Sequence, residues 1–333
     1  ITMKFEELDT IDTKELFKEK AMRLDDIESK KYIEYYNNER YDRYGYQGIL
    51  PAEYSHEYHL IKKDWQRKVL VVDDVIIFMK YVSLFQHRYN RMDGLPISMS
   101  GDKDQEKRVF NKIIERKLCK KVLCIEPESK LIADKFELDS KIMTYNYYSD
   151  VINNFTKIDR NGWRTKRGVN RLLKDPLLTY RKLEHHDDSV EQINNAFTRW
   201  KSEVEGSRFL SKTLANGINK HEYWDTDSSE YYLFEYDGFP VGLIVYILSP
   251  QKRGIVGHQI VNKGINHMIV DYKIPEEIKK RIGAFMHYIT MRDLHERGIK
   301  HIFCGMVTGM RNPSLRTFKG IMNDTSFEAS IWK

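Results

Sequence analysis

Short apolar runs and one helical repeat follow each other in the first half of the chain. Lys68–Val72 and Val75–Lys80 are rich in β-branched residues, and Asp73-Asp74 between them is a turn dipeptide, so two paired strands are predicted. Between Asp104 and Lys117 apolar residues recur every three or four positions, which predicts a helix. Lys121–Ile125 is a further short strand. A strand pair, a helix and a strand in this order are typical of an α/β module.

The segment before these strands is highly charged. Residues 5–45 mix acidic and basic side chains and are predicted to be charged helix, with tyrosines crowded between Tyr32 and Tyr46. Two interpretations of these tyrosines are open. They form an aromatic and basic surface for a nucleic acid, or they belong to a helix end that packs on the domain.

The second half repeats the alternation of strands and helices over a longer stretch. Asp237-Gly238 predicts a hairpin between strands at Tyr231–Tyr236 and Val241–Leu248. The longest helix is predicted to begin at Pro275 and to end at Arg297-Gly298. Further strands are predicted at 178–183, 258–261, 267–270, 299–304 and 327–332, and further helices at 190–204 and 312–319.

The composition is that of a folded globular protein. Of 333 residues, 41% are hydrophobic and 31% are charged, and the length suits two domains. No run approaches the ~18 consecutive apolar residues of a membrane-spanning helix. Three cysteines, without C-x-x-C or H-E-x-x-H spacing, argue against a disulfide framework and a zinc site and favour a reducing compartment. We therefore expect a cytoplasmic protein without a metal.

The charge balance favours anionic partners. The net charge is +6, and five Lys or Arg residues fall between Arg164 and Lys174. These cations, with Trp163 as a stacking ring, suit a phosphate-bearing partner. The other interpretation is a solvated helix face with Trp163, Val169 and Leu172 or Leu173 as buried anchors. The acceptor-binding residues predicted from this stretch are Trp163, Arg164, Lys166 and Arg171.

Four segments of the second half, taken in order, resemble the acyl-CoA N-acyltransferase (GNAT) superfamily. They are Leu233–Val245 around the Asp-Gly turn, Arg281–Ala284, His295–Ile302 and Asn312–Lys319. Each segment is short, and the inference depends on their order over residues 178–333. The resemblance implies a mixed, mostly antiparallel sheet with flanking helices.

The first half extends this resemblance to a doubled plan. Gly94-Leu95-Pro96-Ile97, a helix and Val122–Glu126 are similar to the leading half of tandem GNAT proteins. That family includes the cytosolic domain of phosphatidylglycerol lysyltransferases, and FemX-type aminoacyltransferases share the plan. Trp163–Lys174 resembles its basic connector, and Ser314–Lys319 its late Leu-Arg-x-x-Lys element. The expected fold is therefore α/β with two tandem GNAT-like modules. Its parts are a degenerate N-terminal module at 1–150, a connector at 151–177 and a C-terminal module at 178–333.

One departure from the family affects the donor site. GNAT proteins that bind acyl-CoA have a Q/R-x-x-G-x-G/A loop that holds a pyrophosphate at a helix N-terminus, and only Gly283 of that pattern is present. Glu276 and Glu277 also bring carboxylates to the predicted first turn, which disfavours a phosphate. The donor is acetyl-CoA or another acyl-CoA held by side chains, or aminoacyl-tRNA; a basic helix face without a ligand is the third interpretation. The donor-binding residues implied by the resemblance are Lys279, Lys280, Arg281, Gly283, Asn312 and Lys319.

The GNAT reaction needs a base that deprotonates the attacking amine and an acid that protonates the leaving group. Candidate bases on or near the central strands are Glu235, His267 and Asp271, and candidate acids are Tyr272 and Tyr246. Each is also an ordinary residue for a half-exposed strand face.

Two functions are consistent with these features. The first is an N-acyltransferase or aminoacyltransferase that moves an acyl group to an amine or hydroxyl of a larger, anionic acceptor. DNA and tRNA are candidate partners, and a modified nucleobase in phage-type DNA hypermodification is one candidate acceptor. The second is a non-enzymatic nucleic-acid-binding protein on a degenerate GNAT scaffold, which the loss of the glycine loop supports.

Overall fold

The chain divides into two compact units. The computed structural model describes residues 2–48, 54–62, 65–84, 87–148, 163–183, 229–248, 255–261, 275–298, 301–307 and 325–333. Of these, 2–146, 306–307 and 326–333 belong to the first unit, and the others belong to the second. None of the described helices is long and apolar enough to cross a bilayer.

The first unit contains short helices and a sheet built mainly from hairpins. Its helices are α1 (Thr13–Glu15), α2 (Ile27–Tyr44), α3 (His56–Lys62), α4 (Lys103–Glu115) and α5 (Glu126–Ile132), with 3-10 turns at Phe5–Asp9 and Gly45–Gly48 and a π-helical turn at Leu16–Lys20. Its strands are β1 (Met22–Arg23), β2 (Arg67–Val72), β3 (Val75–Leu84), β4 (His87–Asp93), β5 (Ile97–Ser98), β6 (Lys121–Ile125), β7 (Leu138–Tyr148) and β13 (Thr325–Trp332).

The strand order of the first unit is β1-β2-β3-β4-β6-β13-β7, and β5 pairs with β3. The pairings from β1 to β4 are antiparallel, β4 and β6 are parallel, and β6 and β13 are antiparallel. The predicted turn joins β2 to β3, with Asp73 in the left-handed region at φ 52°. The C-terminal strand β13 thus lies in the first unit's sheet, although it follows the second unit in the chain. The division at 1–150, 151–177 and 178–333 remains a prediction that does not account for this strand.

The first sheet lies between two helices. Val69 and Val71 of β2 belong to an apolar cluster with Tyr36 of α2, whereas Leu70 belongs to a second cluster with Phe110 of α4. Successive side chains of a strand point to opposite faces, so β2 is buried on both. The unit therefore has three layers, α2, the sheet and α4.

The prediction of one charged helix for residues 5–45 is wrong, because the N-terminal segment forms several short elements. It changes from a π-helical turn to β1, whose Met22 pairs with Val69 of β2. The reason is the density of buried apolar residues, which a single helical stripe does not accommodate. The tyrosines of α2 support the second interpretation of that segment: Tyr32 and Tyr36 are buried, and the Tyr35 hydroxyl donates to the Met99 carbonyl oxygen at 3.0 Å.

The second unit has the same succession of strands. Its elements are α6 (Trp163–Leu172), β8 (Leu178–Lys182), β9 (Ser229–Tyr236), β10 (Phe239–Leu248), β11 (Ile255–Val261), α7 (Glu276–Glu296) and β12 (His301–Val307). The strand order is β12-β11-β10-β9-β8, antiparallel except for the parallel pair β11 and β12. The β9–β10 hairpin turns at Asp237 and Gly238, both with positive φ, as predicted. The apolar stripe of α7 is buried and consists of Ile278, Ile282, Phe285 and Ile289.

Both units therefore follow one plan. An antiparallel series of strands ends in one parallel pair, and a helix joins the two strands of that pair: α4 between β4 and β6, and α7 between β11 and β12. The fold is α/β with mixed, mostly antiparallel sheets flanked by helices, as the sequence predicted. The predicted strand at 267–270 and the predicted helices at 190–204 and 312–319 lie outside the described residues.

Candidate functional site

In the first unit, the amides beyond the parallel strand pair are already bonded within the protein. The Leu95 N–H donates to Oε1 of Glu128 at 3.1 Å, and the Ile125 N–H donates to Oε2 of the same carboxylate at 3.1 Å. Leu95 follows β4, and Ile125 ends β6. In acyl transfer, backbone N–H groups of this kind can stabilise an oxyanion when they are free to donate. Here both amides already donate to Glu128.

Glu128 is held by a buried arginine. Nη1 and Nη2 of Arg40 donate to its two carboxylate oxygens at 2.6 and 2.8 Å, and both side chains are 1% exposed. Burial by itself lowers the pKa of Arg40, but Glu128, Tyr36 and Tyr44 together raise it more, so the net shift is upward and the guanidinium remains charged. Gly94 has φ +86°, and a Cβ there would lie 2.1 Å from Arg40 Nη1. Only a glycine leaves room for this pair.

The beginning of α4 is also occupied by carboxylates. Asp102 accepts from the Asp104 and Gln105 N–H groups at 2.9 and 3.0 Å, which caps the helix. Glu106 accepts from the Ser98 N–H at 2.9 Å and from both terminal nitrogens of Arg43. A phosphate at this position would have to displace the cap. The first unit therefore offers no open donor position at α4.

The second unit has cations at the beginning of its corresponding helix. Arg281 of α7 and Arg171 of α6 both donate to Oε1 of Glu277, in the first turn of α7. Arg171 is 54% exposed, Arg281 34% and Glu277 40%, so water reaches all three. Arg167 and Lys280 carry further positive charge on the same two helices and are exposed. We call Arg167, Arg171, Lys280 and Arg281 the basic surface.

A glycine brings the two helices together at this surface. A Cβ on Gly168 of α6 would lie 2.4 Å from Cδ and 2.7 Å from Nε of Arg281, so the side chain of Arg281 lies against the backbone of α6. Val169 and Leu172 are buried on the same helix. Residues predicted separately as donor-binding (Arg281) and acceptor-binding (Arg171) thus converge on one carboxylate. The burial of Val169 and Leu172 agrees with the interpretation of this stretch as a helix with buried anchors and a solvated face.

Glu235, a predicted base, lies on the face of the sheet opposite to α7. Phe234 packs its ring edge-on to Phe285 of α7, with centroids 6.0 Å apart, and strand alternation directs the next residue to the other face. Arg181 of β8 donates to Oε2 of Glu235 at 3.5 Å. This pairing is consistent with a solvated ion pair on a strand face.

A polar cluster that the sequence did not indicate lies at the other end of α7. Glu230 of β9 accepts two hydrogen bonds from Arg297, at 2.7 and 2.8 Å, and one from Lys182 at 3.0 Å. Burial raises the pKa of Glu230, but the hydrogen bonds from Arg297 and Lys182 lower it more, so the net shift is downward. The Tyr232 hydroxyl contacts Glu230 and donates to Asp293. The charges balance, which suits a structural role.

Six further predicted residues are placed only by the element to which they belong. Trp163, Arg164 and Lys166 lie in α6, Lys279 and Gly283 in α7, and Tyr246 in β10. His267, Asp271, Tyr272, Asn312 and Lys319 lie outside the described residues. Their roles stay predictions. Within the described ranges, no group of three His, Cys, Asp or Glu side chains is arranged to hold a metal ion.

No protein-family model matches the sequence, and no curated protein matches it. Solved structures match the fold. A conserved protein of unknown function from Bacteroides thetaiotaomicron VPI-5482 has a TM-score of 0.60 at 12% identity, over 92% of this chain and 97% of its own. L-PGS from Bacillus licheniformis has a TM-score of 0.55 at 13% identity, over 95% and 93%. FemX has a TM-score of 0.51 at 8% identity, over 82% and 90%. At these identities the likeness shows the fold alone, and that fold is GNAT-like, as the sequence motifs predicted.

Proposed function

We propose that this protein is a GNAT-type aminoacyltransferase or acyltransferase whose second unit binds the donor. The observation that carries this proposal is the contrast between two equivalent helix beginnings. At α4, the Asp102 carboxylate caps the helix N-terminus. The buried Glu106 carboxylate accepts from the Ser98 N–H. At α7, water reaches the basic surface, and two of its arginines, Arg171 and Arg281, pair with a partly exposed carboxylate, Glu277.

Aminoacyl-tRNA is the donor that we favour. The family pattern for a pyrophosphate loop is reduced to Gly283, and Glu277 stands in the first turn of α7, where it repels a compact pyrophosphate. Cations spread over α6 and α7 suit an extended polyanion better, because each can neutralise a separate phosphate. Two of the proteins with this fold are L-PGS and FemX, and aminoacyl-tRNA is the donor in the doubled relatives that the sequence resembles.

The chemistry then follows from the reaction type. The amine or hydroxyl of the acceptor loses a proton and attacks the ester carbonyl of the donor, and the tRNA ribose oxygen leaves with a proton. We propose that the base comes from His267 or Asp271 rather than from Glu235. Both belong to the segment that joins β11 to α7, and Glu235 is already paired with Arg181.

The other functions considered from the sequence have less support. A non-enzymatic nucleic-acid-binding role is not favoured by the structural neighbours, which include enzymes of aminoacyl transfer. DNA modification has no support in the described residues or in the comparisons. The acceptor proposed is therefore an anionic molecule larger than a metabolite, without a nucleobase being implied.

Binding of the two donor classes tests this proposal. Wild-type protein should bind aminoacyl-tRNA on filters and should catalyse loss of the aminoacyl ester when acceptor-containing extract is added. The double variant Arg171→Ala/Arg281→Ala should bind about tenfold more weakly, and the slope of log K against log salt should fall in magnitude by roughly 1.5–2, because two phosphate contacts are lost. Arg292→Ala is the matched control, because Arg292 lies on α7 but donates to the Tyr180 hydroxyl at 3.0 Å.

Each other outcome has a definite meaning. Stabilisation by acetyl-CoA without tRNA binding would replace aminoacyl-tRNA with acyl-CoA as the donor. Unchanged tRNA affinity in the double variant would show that the basic surface does not bind the tRNA. Absence of both binding and ester loss in the wild type would contradict the proposed function.

A further inference from the structure

The first unit has a pocket that the proposed reaction does not use. It opens between the loop after β4, the outer side of α4 and α5, and its volume is about 220 Å³. That is below the ~300–1,000 Å³ typical of sites for drug-sized ligands, so it suits a smaller molecule. All of its lining residues belong to the first unit.

Part of the pocket lining is apolar. Pro96, Phe110 and Ile132 line it, and Phe110 and Ile132 are otherwise buried in the core. Leu131 also lines it and is 66% exposed, which is high for a leucine on a helix. An apolar ligand group that covered Leu131 would remove this surface from water.

The pocket also has cationic lining residues. Lys103, Lys107 and Lys135 line it, and all three are exposed. The lining contains one carboxylate, Glu106, whose charge is balanced by Arg43 through hydrogen bonds of 2.6 and 2.9 Å. Lys103 is 3.4 Å from Glu106, which leaves the ammonium groups of Lys107 and Lys135 to give the pocket a net positive potential.

We propose that this pocket binds a small amphipathic monocarboxylate, with its apolar body against Phe110, Leu131 and Ile132 and its carboxylate between Lys107 and Lys135. The capped beginning of α4, where Asp102 accepts from two amides, argues against a pyrophosphate. The anion is instead held from the side by flexible ammonium groups, which tolerate a range of carboxylates. This site is independent of the donor site of the second unit.

Octanoate and 3-phenylpropionate are suitable probes, with octylamine as the probe of opposite charge. Isothermal titration and chemical-shift changes should detect both acids at millimolar concentration and should not detect the amine. Lys107→Glu/Lys135→Glu should weaken octanoate binding at least about tenfold, since charge reversal makes the rim repulsive. Lys4→Glu/Lys14→Glu changes the net charge equally on exposed residues outside the pocket and should leave the affinity unchanged.

A second variant tests the apolar contact. Leu131→Ser, which adds no charge, should weaken binding of both acids, and because Leu131 is exposed the fold should persist, as the melting temperature will verify. Three results would overturn the proposal: no binding of either acid to wild-type protein, equal binding of octylamine, or unchanged octanoate affinity in Lys107→Glu/Lys135→Glu. If wild-type protein binds octanoate but does not bind aminoacyl-tRNA, only the proposed function of the second unit is contradicted.

Discussion

The helices α4 and α7 have the same place in their units, but the charges at their beginnings differ. Each joins the strands of the parallel pair. The beginning of α4 is satisfied by Asp102 and Glu106, whereas α7 begins beside the basic surface. The comparison shows that equivalent packing does not determine which polar groups lie at the beginning of a helix. Strand order requires only apolar burial, but a binding site requires polar groups that a ligand can reach.

The two ion pairs of these regions differ in burial in the same way. Arg40 and Glu128 are both 1% exposed, so removing one leaves an uncompensated charge in the core. Arg281 and Glu277 are partly exposed, and pairs of that kind contribute only ~0–1 kcal/mol because water screens them. A ligand phosphate can therefore replace Glu277 at small cost, whereas a ligand cannot replace Glu128.

The largest expected effect comes from Glu128→Ala. It leaves Arg40 unpaired and removes the acceptor of the Leu95 and Ile125 amides. We expect the free energy of unfolding of the first unit to fall by about 3–5 kcal/mol, as measured by denaturant titration. The double variant Arg40→Met/Glu128→Leu should recover part of this loss, because no charge stays buried. A loss below ~1 kcal/mol in Glu128→Ala would show that water reaches Arg40 and would undo the contrast with α7.

The second effect concerns the acid stability of the second unit. The pKa of Glu230 lies below its ordinary value of 4.5, because the hydrogen bonds from Arg297 and Lys182 outweigh burial. Its stabilisation is therefore complete above that ordinary value and is lost as the pH falls through the lowered pKa of the folded state. Glu230→Gln should cost about 1.5–3 kcal/mol at neutral pH, nearer the lower figure because Arg297 and Lys182 are partly exposed.

The measurement is the free energy of unfolding as a function of pH. Wild-type protein should lose stability as the pH falls below the ordinary range of a glutamate, and Glu230→Gln should show a flatter curve there. Glu235→Gln is the control, because Glu235 also pairs with a basic residue of β8 but lies at 3.5 Å from it. If the free energy of unfolding falls equally with pH in wild-type and Glu230→Gln protein, the ion pairs of Glu230 do not contribute to the stability of this unit.

Local sequence signals were sufficient for much of the fold. The hairpin at Asp237-Gly238 and the limits of α7 at Pro275 and Gly298 were predicted because turn and cap residues act within a few positions. The strand β4 (His87–Asp93) was missed, since its buried polar residues include Arg91 and Asp93, which pair with each other. A buried ion pair removes the apolar alternation on which strand prediction depends.

The buried Arg40–Glu128 pair of the first unit was harder to predict. Arg40 and Glu128 are 88 positions apart, and no local pattern indicates such a pair. One signal was available: Pro127 followed by Glu128 is typical of a helix start whose glutamate bonds back to a preceding amide, as it does at Ile125. For the second unit, Arg171 and Arg281 were predicted as binding residues from the sequence. Their shared contact with Glu277 was not predicted, because it depends on how α6 packs against α7.

The third effect tests whether Glu277 competes with the ligand. Glu277→Gln removes the carboxylate between Arg171 and Arg281 and should raise affinity for aminoacyl-tRNA by about threefold, with little change in stability. Filter binding at two salt concentrations is the measurement. Glu296→Gln is the matched control, since Glu296 lies on the same helix and pairs with Arg292 at 3.8 Å. Weaker binding in Glu277→Gln would show that Glu277 positions the arginines instead of competing.

The smallest expected effect comes from Gly168→Ala. In a helix, alanine is favoured over glycine by about 0.5–1 kcal/mol, but the new Cβ would lie 2.4 Å from Cδ of Arg281. The Arg281 side chain is flexible enough to move away, so the two terms should nearly cancel and stability should change by less than ~0.5 kcal/mol.

The control for this change is Asn170→Ala on the exposed side of α6, which reports helix propensity without the contact. In Gly168→Ala, affinity for aminoacyl-tRNA should fall about twofold, because Arg281 no longer lies beside Arg171; Asn170→Ala should leave it unchanged. If Gly168→Ala instead gains the full ~1 kcal/mol of helix propensity at unchanged affinity, Arg281 does not depend on the close approach of the helices. The difference between α4 and α7 would then come from charge alone, without a contribution from the glycine that brings α6 against α7.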